Sequence, residues 1–195
     1  MTEQEEKKVH EYLNRYHFFE KEEVNLLLKE LEFVTYKKKE FVLEKGEKCK
    51  YQYFILEGLV RFFYEDKEGT AHTFQFGIEN WWFTHYESFV LQIPSEDFIQ
   101  CLEKTKLLRI SKEKLEILFD KLPKLEKVFR IIAENTLIAV NRRNRFYMEM
   151  DGIEKYNFLI KSFPDISQRI PQYIIASYLQ MTPEYLSNLR KKSLS

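Results

Sequence analysis

Glu184, Ser187, Asn188 and Lys191 follow one another at helical intervals near the end of the chain, within the run PEYLSNLRK. A carboxylate, a hydroxyl, an amide and an ammonium so spaced are the groups that read base edges in a major groove. Glutamate can accept from a cytosine amine, and asparagine can pair with adenine. Ser187 and Lys191 can reach a base or a phosphate, while Arg169, Arg190 and Lys192 suit the DNA backbone. Thr182-Pro183-Glu184 is a compact helix start: a hydroxyl cap, then proline where a missing N–H costs nothing, then a carboxylate at the positive helix end. With Thr182 and Tyr185 of the first turn, these residues make a candidate DNA-contacting set.

The elements that must position this set are legible around it. QYIIASYLQM places Ile175, Ala176 and Leu179 on one face of a preceding helix. Leu186 and Leu189 share a face of the next, with Met181 in the turn between. Two helices that cross steeply need a small residue at their closest approach, and Ala176 supplies it. Residues 172–191 therefore read as a helix-turn-helix. The same pattern also fits a helical hairpin packed into a core.

Net charge is zero, with 31 basic and 31 acidic residues, and the zero is unevenly built. From Ser167 onward Arg169, Arg190, Lys191 and Lys192 outweigh Glu184, which leaves +3 there and −3 on the remaining 166 residues. A basic tip on a slightly acidic body suits a phosphate backbone. Cys49 and Cys101 lie far apart with no CxxC, so they read as reduced thiols in a cytoplasmic protein. Two cysteines are too few for a cysteine-ligated zinc or iron–sulfur sensor within one chain. No apolar run is long enough for a bilayer, and the charged start MTEQEEKKVHEYLNRY is unlike a secretory signal.

Upstream, Glu3 to Tyr16 and Lys21 to Leu31 read as two short amphipathic helices. From Phe33 the texture turns aromatic and β-branched: FVTYK, FVLEK, YQYFILE, LVRFFYE and TAHTFQF. Gly46, Gly58, Gly69 and Gly77 punctuate these runs at intervals near ten residues, as in successive hairpins of an all-β sandwich or barrel. DFIQCLE and KLLRIS add two strands beyond a less regular segment at Trp81 to Glu96. SKEKLEILFDKL is then a short helix, and Pro123 opens a long one to about Met150. Two stripes run along it. Phe129, Ile132, Thr136, Ala139 and Arg143 follow one; Val128, Ile131, Asn135, Ile138 and Arg142 follow another. One stripe must cover the β body, and a twofold mate is the simplest partner for the other, so the first set is assigned to a dimer interface. One wide apolar face packed wholly within a monomer is the alternative.

A β-roll of this texture, a long helix and a terminal helix-turn-helix resemble the cyclic-AMP receptor protein/fumarate-nitrate regulator (Crp/Fnr) family. VLEKGEKCKYQYFILEGLVRFFYEDKEG and RIPQYIIASYLQMTPEYLSNLRKK carry the resemblance. It implies an α+β fold: a cyclic-nucleotide-binding-like β-roll (jelly roll) with N-terminal helices over 1–122, a dimerisation helix over 123–150, and a DNA-binding domain over 151–195. It implies double-stranded DNA, a second copy of the chain and RNA polymerase as partners, with no membrane. Relatives that bind cyclic nucleotides hold the phosphate with a glycine-glutamate pair and, about a dozen residues on, an arginine beside a serine or threonine. Thr84-His85 and Pro94-Ser95 stand at those places here. Proline brings neither charge nor backbone donor, and no Arg or Lys lies between Glu68 and Lys104, so cyclic AMP is not expected to bind in the usual way. Trp82, Thr84, His85, Pro94 and Ser95 mark the candidate ligand pocket, with no cofactor and no identified effector. The crowd of Trp81, Trp82, Phe83, Tyr86 and Phe89 either plugs that pocket or lines a cavity for a planar ligand, and a plug is the commoner use of such rings. Gln180 occupies a place usually held by glycine, where the turn wants a positive φ.

Other classes fit less well. A ligand-binding or protein-interaction module whose helix-turn-helix does not touch DNA is the main alternative. A metal-dependent β-barrel enzyme needs converging His and carboxylate ligands, yet the four histidines form no HxH pair and no Ser-His-Asp or Cys-His site is recognisable. The chain therefore reads as a non-enzyme.

Overall fold

The computed structural model describes residues 1–193. Two helices open the chain, α1 (Glu3–Asn14) and α2 (Lys21–Glu30). Thr2 caps α1 and Glu5 returns the bond to the cap, the reciprocal arrangement that settles two orphan N–H groups. The strands follow: β1 (Glu32–Tyr36), β2 (Phe41–Leu43), β3 (Tyr51–Glu57), β4 (Val60–Glu65), β5 (Ala71–Gly77), β6 (Trp82–Phe83), then β7 (Phe98–Cys101) and β8 (Thr105–Ser111) after a helix, α3 (Tyr86–Leu91). They form two four-stranded sheets, ordered β1-β8-β3-β6 and β2-β7-β4-β5, and every pairing is antiparallel. The seven strands anticipated from the aromatic runs are all present. The segment at Trp81 to Glu96, which looked irregular, holds β6 and α3. Gly58 shows why a glycine must separate β3 from β4: its φ is +108°, and a Cβ there would meet Thr105 Oγ1 at 2.5 Å.

Beyond the roll come α4 (Lys112–Lys121), α5 (Pro123–Glu149), α6 (Gly152–Ser162), α7 (Ile166–Arg169), α8 (Gln172–Tyr178) and α9 (Pro183–Ser193). Pro123 opens α5 at its first turn, and α5 stops where Met150 turns extended. Asp151 then caps α6 in a reciprocal pair with Glu154. No described helix is long and apolar enough to cross a membrane.

The apolar interior has two clusters. The first fills the roll and seats α1, α2, α4 and the front of α5 through residues such as Val9, Phe54, Leu108, Leu125 and Phe129. The second joins Leu59, Phe76 and Leu102 of the roll to Phe146, Leu159, Ile170, Ile175 and Leu186 of the later helices. The C-terminal helices thus share a core with the roll.

This packing corrects the assignment of the α5 stripes. Phe129 and Ile132 are buried in the chain's own first cluster. The Thr136 hydroxyl donates back to the Ile132 carbonyl at 2.9 Å, and Arg143 donates to the Phe74 carbonyl of β5. Of the five residues assigned to a dimer contact, Ala139 alone is exposed. The roll therefore takes the front of the stripe meant for a partner, Phe129 and Ile132, while Thr136, Ala139 and Arg143 line a cavity beside β5 and β6. The solvent-facing side instead carries Glu134, Leu137, Ile138, Asn141, Arg145 and Met148.

Polar contacts fix how the second cluster sits. β5 is the edge of its sheet, and α8 covers that edge. Ser177 Oγ accepts from the Thr73 N–H at 2.8 Å and donates to the Ala71 carbonyl at 3.0 Å, so edge groups that a neighbouring strand would take are taken by a hydroxyl. Arg169 reaches back from α7 to Glu79 at 2.6 Å and to Glu103 at 2.5 Å. This removes Arg169 from the residues expected to grip a DNA backbone, because its guanidinium is already forked between two carboxylates. Burial works to raise the Glu79 carboxyl, but the bonds from Arg169 and from the Gly58 N–H outweigh it and hold it below its ordinary value.

Two outcomes follow from these contacts. Gln180 closes the α8–α9 turn at φ +57°, a left-handed conformation that glycine adopts freely. Gln180→Gly should raise the unfolding free energy by up to about 1 kcal/mol in a urea titration, and lower stability would show that the turn carries no strain. A carboxylate depressed on folding stabilises above its unfolded pKa, and that contribution is lost as pH falls through the folded value. The stability of the wild type should therefore drop more steeply below about pH 4.5 than that of Arg169→Gln. Parallel pH profiles for the two proteins would contradict the clamp.

Candidate nucleic-acid interface

The α8–α9 pair has the helix-turn-helix arrangement that its apolar spacing predicts. Ile174, Ile175 and Ala176 of α8, Leu179 at its C-cap and Leu186 of α9 are buried together, while Leu189 is half-buried. Ala176 is fully covered, and its carbonyl accepts from the Met181 N–H at 2.9 Å to close the turn. Thr182 Oγ1 accepts from the Tyr185 N–H at 3.2 Å, which makes it a hydroxyl cap in fact as well as in pattern. Pro183 follows at the first helical position.

The outer side of α9 faces solvent. Pro183, Glu184, Ser187 and Asn188 line a shallow open cleft along it. Glu184, Asn188 and Lys191 are exposed, and Ser187 and Arg190 are partly so. Among the described residues, none of these five side chains is engaged in a hydrogen bond or ion pair. The side chain of Lys192 lies outside the described residues. Tyr185 serves the scaffold as well as the surface. Its ring lies so close to Gly152 at the start of α6 that a Cβ there would meet it at 2.7 Å, yet the residue stays 49% exposed.

The region matched to a nucleotide-phosphate cassette is occupied by its own side chains. His85 Nδ1 accepts from the Ser88 N–H at 3.2 Å, so its Nε2 carries the proton donated to Asp97 at 2.9 Å. His85 is thus the cap of α3. The Thr84 hydroxyl donates to the Tyr51 carbonyl at 2.9 Å, and Ser95 closes a small turn with Asp97. Pro94 is exposed and bridges to Lys48. Inside, Tyr53 stacks on Phe83 at 5.1 Å, Phe62 meets Phe83 edge-on at 5.7 Å, and Trp82 meets Phe129 at 5.0 Å. Among the described residues, the side chains of Thr84, His85 and Ser95 are therefore all engaged within the chain.

Sequence reasoning missed three side chains that hold this interface. Ser177 offers in sequence only a hydroxyl within a largely apolar helix. Glu79 and Glu103 gave no local signal, since Arg169 lies 90 and 66 residues away from them. Among the described residues no group of acids, histidines and cysteines could hold a metal ion.

Residues 33–121 match the cyclic nucleotide-binding domain family. No curated protein matches the chain. Several solved structures share its fold across most of its length. The c-di-GMP responsive global regulator CLP of Xanthomonas campestris superposes with a TM-score of 0.71 at 14% identity, over 90% of this chain and 92% of that one. FixK2 of Bradyrhizobium japonicum gives 0.69 at 15% identity, over 83% of each chain. The catabolite activator protein of Thermus thermophilus gives 0.59 at 18% identity, over 93% of this chain and 85% of that one. A roll that matches the cyclic nucleotide-binding domain family, a long helix and a helix-turn-helix make this chain Crp/Fnr-like in fold.

Proposed function

We propose that the chain is a DNA-binding transcription regulator of the Crp/Fnr type, that it works as a homodimer, and that cyclic AMP does not control it. One observation carries the reading: the outward face of α9 presents Glu184, Ser187 and Asn188 to solvent, without hydrogen-bond or ion-pair partners among the described residues, on a helix-turn-helix set in a Crp/Fnr-like fold. Arg190 and Lys191 flank that face with charge for phosphates. A dimer supplies the second recognition helix about one DNA turn away that a palindromic site needs. The solvent side of α5 supports it, because Leu137 is 62% exposed and Met148 88% exposed there. Pro94 in place of a phosphate-binding arginine supports independence from cyclic AMP. RNA polymerase is a further partner on this reading, no catalytic role is assigned, and the division into 1–122, 123–150 and 151–195 is kept as a functional one.

Fluorescence anisotropy against genomic fragments tests the DNA claim. Salt-sensitive binding is expected; no affinity in any fragment would favour a protein-interaction module instead. Asn188→Ala should cost about 1–3 kcal/mol at the cognate site and relax one base position, and an equal loss on random DNA would reject base reading. Lys191→Ala should weaken all sequences alike and lower the salt slope by about one. Leu137→Glu on the open side of α5 should give monomers in sedimentation and abolish tight operator binding; a persistent dimer would place the interface elsewhere.

A further inference from the structure

A large cavity lies away from the His85–Pro94 segment. It occupies about 720 Å³ between β5 and β6, the rear half of α5, α1 and the helices α6 and α8. None of Thr84, His85, Pro94 or Ser95 lines it. The volume falls within the range that holds a small organic molecule. Its ionisable lining is one-sided. Arg15, Arg142 and Arg143 contribute three guanidinium groups, while no Asp, Glu, Lys or His reaches it. Among the described residues, none of the three arginines has a carboxylate partner; Arg15 and Arg142 are exposed, and Arg143 donates to the Phe74 carbonyl. The rest of the wall is largely aromatic, with Trp81, Phe158 and Phe163 at the α6 side. Trp82, in the same wall and 7% exposed, keeps a buried indole N–H with no acceptor.

Cations without counter-ions beside flat apolar walls select one ligand chemistry. A carboxylate or sulfonate is taken by guanidinium forks, and a fused or substituted ring system is taken by the aromatic walls. A neutral ring of the same size leaves the arginines unanswered, and a small inorganic anion leaves the aromatic walls wet. We propose that this cavity is a binding site for an anionic, aromatic-bodied small molecule, held by Arg15 and Arg142 with the ring system against Trp81 and Phe163. The site is independent of whether α9 binds DNA. It touches both the roll and α8 (through Tyr178), so its occupant bridges the elements that the second apolar cluster joins.

The two tryptophans of the chain both line the cavity, which gives a direct readout. The probes are 1-anilinonaphthalene-8-sulfonate and its uncharged counterpart N-phenyl-1-naphthylamine, titrated into the full chain without DNA. The sulfonate should saturate at one per chain, with quenching of tryptophan and sensitised probe emission. The neutral probe should bind about tenfold more weakly, the cost of an unmet charge-assisted pair. Arg142→Gln and Arg15→Gln should each weaken the sulfonate by about fivefold or more without changing the neutral probe. Ala139→Phe, which fills the space from α5, should abolish binding of both, with an unchanged circular dichroism spectrum showing that the fold survives. Equal affinity for the two probes would overturn the anion assignment. Sulfonate binding that is unsaturable, or that ignores all three substitutions, would overturn the site.

Discussion

The position of the helix-turn-helix depends on one apolar contact, the cluster in which Leu59, Phe76 and Leu102 of the roll meet Ile170, Ile174, Ile175 and Leu179. Burying each such side chain is worth about 1.5–3 kcal/mol. The ion pairs from Arg169 to Glu79 and Glu103 are partly open to solvent, where a pair contributes about 0–1 kcal/mol. The apolar term therefore holds the helices to the roll, and the polar contacts decide in which orientation. Ser177 is the clearest case, because one hydroxyl satisfies both Thr73 and Ala71 on the open edge of β5.

From that seat the rest follows. With α8 turned inward onto β5, the short turn at Gln180 sends α9 out with its polar side to solvent. Tyr185 rests on Gly152, so the start of α6 and the start of α9 constrain one another. The rear of α5 lies between roll and C-terminal helices, where Phe146 joins the shared cluster and Tyr147 donates to the Tyr178 carbonyl. The rear of α5 is thereby bonded to both β5 and α8. Around Phe83, by contrast, the roll interior is filled by the rings of Tyr53 and Phe62.

Much of this was legible in the chain. Glycines near ten-residue intervals separated the strands because each hairpin needs a tight turn, and Thr182-Pro183 announced α9 through its capping chemistry. Gln180 was flagged by its place in the turn, and the structure finds the positive φ there. Short elements escaped: β6 has two residues and α3 has six, too few for a period to show. The stripe through Phe129 and Ile132 was misplaced because apolar spacing says that a face is covered and not by what. Arg169 looked like a phosphate ligand because its carboxylate partners are distant in sequence and only the fold brings them near. Local chemistry could be read, and long-range pairing could not.

The shared core is most directly tested by native-state hydrogen exchange, resolved by residue, on the DNA-free protein. The account predicts that the Thr73 amide and the interior amides of α8 exchange together, with the protection of β5 itself. Rapid exchange of Thr73 and α8 beside a protected β4–β5 ladder would mean that the C-terminal helices move freely of the roll, and would contradict it.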